Sequence, residues 1–275
     1  AIEFYKKTLK YFLLESKRVP KYIRLKIYLK SSEVLIKMGK ANYDAGNMEN
    51  AIDAFLRAKR MAIKAKKLLK KRLIAPRLFI ALAHGYLARV YYGYGDLKKA
   101  VKYVDEAMFY FRKIAYKLKK QMLSPEKMRL AGELSLYLAY EISDLMRTFS
   151  KIYLELGSFE KGINILEKAK IFSEYAVKIS GGTDPDVLNK HGLLLSIEAR
   201  GNLYLQKFNN AIKIGKAALK NFHRIINQKK DFIYAYNNFS FTLNRIAEAY
   251  IAIGDLDNAI EVLKSQFHTE RKLSY

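Results

Sequence analysis

Apolar residues recur every three to four positions along most of the chain, the spacing of one buried face per helix. The pattern is interrupted at regular places. A short phrase returns five times: AGNMENAIDAF from Ala45, YGDLKKAVKYV from Tyr94, LGSFEKGINIL from Leu156, LQKFNNAIKIG from Leu205 and IGDLDNAIEVL from Ile253. In four of the five a Gly ends one helix and a polar residue starts the next. A small residue follows five positions after the Gly, then Ile or Val. Those small residues, Ala51, Ala100, Gly162, Ala211 and Ala259, let two antiparallel helices approach closely. A larger residue comes four later (Phe55, Val104, Leu166 and Leu263, with Gly215 as the exception). Ala58, Ala107, Ala169 and Ala218 follow at the next offset of three, and Gln266 breaks the series. Offsets of three and four place all of them on one helix face.

The punctuation sets the helix count. Pro20 and Pro76 open helices near their first turns. Ser124-Pro125 and Asp184-Pro185 read as N-cap and first-turn pairs, and Asp231 as another cap. The pattern predicts helices at 1–17, 20–45, 47–73, 76–94, 96–122, 125–156, 158–180, 185–206, 208–228, 231–253 and 255–273. The expected fold is all-α: one right-handed solenoid over 1–275, made of a half repeat at 1–17 and antiparallel hairpins at 20–73, 76–122, 125–180, 185–228 and 231–273. Each hairpin should turn at Gly46, Gly95, Gly157, Gln206 or Gly254.

The pattern resembles the tetratricopeptide repeat. In that family the second helix carries a small residue, a large one and an Ala at these offsets. The first helix carries a small residue seven before the turn and a Tyr four before it. Here the first slot holds Gly39, Ala88, Ser150, Ala199 and Ala247, and the second Asn42, Tyr91, Tyr153, Asn202 and Tyr250. The turns are spaced 49, 62, 49 and 48 residues apart, against about 34 in the standard repeat, so the helices are long. Long helices of this kind look like those in sensor domains of large bacterial and archaeal regulators. The first helix, with Ala1, Ile2, Tyr5 and Thr8, matches the second-helix phrase. The expectation is therefore a piece of a longer protein, with the apolar face of 1–17 left exposed or used for self-association.

Charge changes the picture. With 51 Lys and Arg against 26 Asp and Glu, the net charge is +25, which implies an acidic partner or a surface tuned for solubility. From Ala54 to Gly95 there are eleven basic residues and no acid. On that helix Phe55, Ala58, Ala62, Ala65 and Leu69 form the buried stripe. Arg60, Lys64, Lys67 and Lys71 fall on the opposite, convex side, where they repel one another. They read as a solvated face or as an anion-binding one. The segment from Ala199 to Lys230 is also free of acids.

A second basic set follows from the resemblance. In tetratricopeptide proteins the position after the small first-helix residue faces the concave groove. Here it holds Lys40, Arg89, Lys151, Arg200 and Glu248. The first four form a candidate ladder for an extended anion. The family's carboxylate clamp, Asn with Lys four residues earlier, is not present, because those positions are Lys40 and Ile36.

Other chemistry is thin. There is no Cys, so disulfides and thiolate metal sites are excluded. His84, His191, His223 and His268 lack metal-ligand spacing. No phosphate-cradling Gly loop, nucleophile elbow or paired carboxylate motif appears. The longest uncharged run, 232–244, is too short to span a bilayer. The expected function is a cytoplasmic, non-enzymatic scaffold without metal or cofactor. Its basic surface would dock on an acidic protein segment, a nucleic acid or a ribonucleoprotein. The alternative is a ligand-sensing or oligomerising arm of a larger regulator or ATPase.

Overall fold

The computed structural model describes residues 2–15, 19–68, 74–122 and 136–273. Among the described residues there are eleven α-helices and no strand. They fall into two compact units, 1–133 and 134–275. The first unit contains α1 (Ile2–Glu15), α2 (Lys21–Asp44), α3 (Met48–Lys67), α4 (Ile74–Gly93) and α5 (Leu97–Met122). The second contains α6 (Leu136–Glu155), α7 (Phe159–Ile179), α8 (Pro185–Tyr204), α9 (Phe208–Gln228), α10 (Ile233–Ala252) and α11 (Leu256–Leu273). The helix start expected at Ser124-Pro125 lies outside the described residues.

All five predicted turns form, and by one mechanism. Gly46, Gly95, Gly157 and Gly254 have φ between +71° and +80°, and Gln206 has φ of +57°. Each closes a Schellman motif. At the first, the Asn47 N–H donates to the Asn42 carbonyl (2.8 Å) and the Gly46 N–H to the Tyr43 carbonyl (3.0 Å). The same pair of bonds recurs at Tyr91/Asp96, Tyr153/Ser158, Asn202/Lys207 and Tyr250/Asp255. The repeated residue four before the turn is thus the carbonyl acceptor that ends each first helix.

Gln206 holds a left-handed conformation that costs an L-residue about 1 kcal/mol or more. Gln206→Gly should therefore raise stability by about 1 kcal/mol. A urea midpoint unchanged or lowered by the substitution would contradict this reading of the turn.

Asp184 caps α8 as expected: its carboxylate accepts from the N–H groups of Asp186 (2.9 Å) and Val187 (3.2 Å), with Pro185 as the first helical residue. Asp231 does not cap α10. The N-cap there is Phe232, without a side-chain bond. The chain turns one residue later, with the Phe232 N–H on the Lys229 carbonyl and the Ile233 N–H on the Asp231 carbonyl. Pro76 is the third residue of α4 rather than its first. It still lies in the first turn, where a missing N–H leaves no bond unmade.

The small residues pack as their spacing implied. Ala51, Ala58, Ala88, Ala100, Ala107 and Ala199 are buried. A Cβ on Gly39 would come within 2.4 Å of the Phe55 ring, so α2 and α3 cross with nothing between ring and backbone. Gly192 receives Phe222 in the same way, at 2.7 Å. The exceptional Gly215 is explained too: Ile246 of α10 occupies the space its side chain would take, 2.6 Å from a built Cβ.

Within each unit every helix packs on the next. In addition α2 touches α4, α6 touches α8 and α8 touches α10. No such contact joins α3 to α5, or α7, α9 and α11 to one another, among the described residues. First helices therefore converge and second helices diverge. The first helices line the inner side of each stack.

Candidate functional site

In the second unit three first helices bring side chains into one cavity of about 520 Å³. Arg147 and Lys151 stand one turn apart on α6. Arg200 comes from α8 and Arg245 from α10. Leu154, Phe159, Leu193 and Ile197 make its apolar wall, and Tyr204 and Glu155 complete the polar part. Two of the four predicted ladder residues, Lys151 and Arg200, thus line the same cavity. The repeat register reads one position per helix and so passes over Arg147 and Arg245. The signal was there: Arg147 is four before Lys151 and Arg245 three before Glu248, both spacings that share a helix face.

The four cations are not equally balanced. Asp144 takes Arg147 through Nη2 (2.7 Å) and Nε (3.1 Å), and Lys190 approaches the same carboxylate at 3.5 Å. Lys151 faces Glu155 at 3.8 Å. Arg200 instead donates from Nε to the Tyr204 hydroxyl (2.7 Å), with its guanidinium 5.3 Å from that ring's centre. Arg245 donates from Nη1 to the Ser196 carbonyl (2.8 Å) and hydroxyl (2.5 Å). Ser196 is itself held, because its hydroxyl accepts from Thr242 at 2.7 Å.

Among the described residues no carboxylate forms a salt bridge with Arg200 or Arg245. Burial pushes the Arg245 guanidinium down to about 10, and the Arg200 charge adds to the shift, with Glu248 only partly opposing. Such an environment favours anything that brings negative charge.

In the first unit Lys40 and Arg89 meet on one aromatic ring. The Lys40 Nζ lies 5.6 Å and the Arg89 Cζ 5.7 Å from the centre of Tyr86. Tyr86 is buried and stacked on Phe55, ring centres 5.1 Å apart. The first-helix slot thus yields a cation pair in this unit too.

On the opposite side of α3, Arg60 is exposed and Lys64 and Lys67 lie on the same outward face, with Lys64 Nζ 5.9 Å from the Tyr28 ring. Lys71 lies outside the described residues. Phe55, Ala58, Ala62 and Ala65 of the predicted stripe are buried, and Leu69 lies outside the described residues. At the end of α4, Tyr91 stacks on Tyr103 at 5.5 Å, while Tyr94 is exposed.

Among the described residues no group of His, Asp and Glu could hold a metal ion. No described helix is long and apolar enough to cross a membrane.

Comparison with known proteins agrees with this architecture. A tetratricopeptide repeat model matches residues 242–266, which span the end of α10, its turn and much of α11. No curated protein matches the sequence. Among solved structures, BtubC (BKLC) from P. vanneervenii is similar over 100% of this chain and 92% of its own, with a TM-score of 0.61 at 14% identity. A single-substitution form of a putative Podosopora anserina kinesin light chain, with nearly identical TPR-like repeats, is similar over 88% of this chain and 95% of its own, with a TM-score of 0.53 at 15% identity. By their turns, their small-residue contacts and these likenesses, the two units have a tetratricopeptide-like fold of long helical hairpins.

Proposed function

We propose that this chain is a non-enzymatic protein-interaction scaffold whose second unit grips an acidic peptide segment of a partner. The observation that carries this reading is the pair Arg200 and Arg245, two cations in one cavity with no carboxylate among the described residues bound to either. Desolvation and the neighbouring Arg200 disfavour the half-buried Arg245 cation, and a bound carboxylate would relieve both. The apolar wall of Leu154, Phe159, Leu193 and Ile197 favours a segment in which acidic and apolar side chains alternate. A nucleic-acid backbone has no such apolar complement. It would find its match on the outward face of Arg60, Lys64 and Lys67. Lys40 and Arg89, gathered on the Tyr86 ring, would be the corresponding pair of the first unit.

The test uses the whole chain, a fluorescent octapeptide of alternating Glu and Leu, and a labelled uridine oligonucleotide. Anisotropy titrations compare the parent with Lys151→Glu/Arg200→Glu and with Arg60→Glu/Lys64→Glu. The first pair should weaken peptide binding by at least about tenfold, and the second should leave it within about twofold. The affinity should also fall with added salt. Loss of peptide binding in the α3 pair alone would move the site to the convex face. Tighter binding of the oligonucleotide than of the peptide, lost in either pair, would replace a peptide partner by a nucleic acid.

A further inference from the structure

The basic cavity of the second unit holds more positive charge than one carboxylate can balance. Four cations line it: Arg147, Lys151, Arg200 and Arg245. Two carboxylates meet them. Asp144 binds Arg147 at 2.7 Å and is shared with Lys190 at 3.5 Å, while Glu155 faces Lys151 at 3.8 Å. Glu248, three residues past Arg245, is not among the lining residues, and it accepts from the Asn244 amide at 2.8 Å. Two positive charges, those of Arg200 and Arg245, are left over inside the cavity.

The two guanidiniums are neighbours for a structural reason. Arg245 of α10 bonds to the carbonyl and hydroxyl of Ser196, which stands one turn before Arg200 on α8. Tyr204 stands one turn after Arg200 and holds its Nε at 2.7 Å. These bonds leave one edge of each guanidinium over. Among the described residues, Nη1 and Nη2 of Arg200 and Nε and Nη2 of Arg245 make no hydrogen bond. Each of these edges is a fork of N–H donors. A carboxylate, with two oxygens and one charge, fills one fork and leaves the other guanidinium unmatched. A phosphomonoester has three terminal oxygens and a charge of about −1.5 to −2 at neutral pH, so it accepts from both forks and balances both charges. The apolar wall of Leu154, Phe159, Leu193 and Ile197 lowers the local dielectric and strengthens each such bond.

We infer that this cavity recognises a phosphorylated serine or threonine carried on the partner's segment. The inference rests on the reading that the second unit grips a peptide, and it names the group that the two free forks fit. Tyr204 is exposed and Arg200 half-buried, so a short phosphorylated side chain reaches them from solvent without opening the helix stack.

The test uses the whole chain and three labelled, end-capped octapeptides in which Gln and Leu alternate. Only the fifth residue differs, being phosphoserine, Glu or Ser. A single charged position fixes which residue seats in the cavity. By anisotropy, the phosphoserine peptide should bind at least about tenfold more tightly than the Glu peptide, and the Glu peptide more tightly than the Ser peptide. Arg200→Gln should weaken the phosphoserine peptide at least about tenfold and bring it within about threefold of the Glu peptide, because the one remaining charge suits a monoanion. Arg245→Met should do the same from the other helix. A melting temperature no lower than the parent's verifies the fold of each variant. Arg60→Glu/Lys64→Glu, outside the cavity, should leave all three affinities within about twofold. Equal binding of the phosphoserine and Glu peptides by the parent overturns the phosphate inference and leaves the acidic-segment reading standing. Binding of neither more tightly than the Ser peptide removes both. An equal loss in the α3 pair would assign the effect to net charge and overturn the site. Displacement of the phosphoserine peptide by micromolar free phosphoserine would make a small phosphomonoester the ligand and overturn the peptide assignment.

Discussion

Phe55→Ala should lower the stability of the chain by about 3–5 kcal/mol, the range for truncating a fully buried aromatic ring. Phe55 has no solvent exposure, stacks on Tyr86 with an interplanar angle of 9°, and lies against the backbone of Gly39. Gly39→Ala should cost about 1–3 kcal/mol by the opposite mechanism, because its new methyl would sit 2.4 Å from a ring atom. The two substitutions remove each other's cause. With the ring gone, the methyl has room and fills part of the cavity. The double variant should thus be less destabilised than the sum of the singles by at least about 1 kcal/mol. Urea unfolding of the four proteins gives the coupling directly. Additive effects would mean that α2 and α3 are not locked at this point and that the small-residue slot is mere composition.

That contact also shows how far the sequence was legible. The small residue seven before the turn and the large one nine after it were visible as a repeated offset. Their partnership across the hairpin follows from antiparallel geometry. The turns were legible for the same reason: a left-handed residue that closes two carbonyls can hardly be anything but Gly, and the one Gln in the series appeared as the exception it is. Helix ends set by competition between nearby carbonyls were less visible. Asp231 has a capping side chain, yet the local turn at Lys229 uses its backbone instead.

The basic cavity was half legible. One position per first helix gave Lys151 and Arg200. Knowing which cations are already neutralised needs distances between helices, as between Asp144 and Lys190 on α6 and α8. Arg245 could have been placed on the face from its spacing to Glu248. Its isolation from any described carboxylate could not.

Arg245→Met separates a structural cation from one held for a ligand. An arginine that stabilises the fold by a buried salt bridge costs about 3–5 kcal/mol to remove, because its partner is left unpaired. Arg245 has no such partner among the described residues, and its burial and its neighbour Arg200 both work against its charge. Met keeps much of the volume and the apolar stem and removes the charge, while the Ser196 carbonyl it releases belongs to the α8 ladder. The unliganded variant should therefore have a stability within about 1 kcal/mol of the parent's, or above it.

Binding should respond differently. Losing one desolvated charge of a hydrogen-bonded pair costs about 2–5 kcal/mol, so the variant should bind the Glu/Leu octapeptide at least about thirtyfold more weakly. The parent should show a melting temperature that climbs with peptide concentration, and the variant should show almost none of that rise. The depressed guanidinium adds a sign. Burial and the Arg200 charge both disfavour the Arg245 cation, so this charge burdens the fold at neutral pH. Arg245→Met should lift the same burden at neutral pH. A variant destabilised by more than about 2 kcal/mol, with peptide binding unchanged, would make Arg245 a strut of the α8–α10 contact and leave the cavity without its ligand.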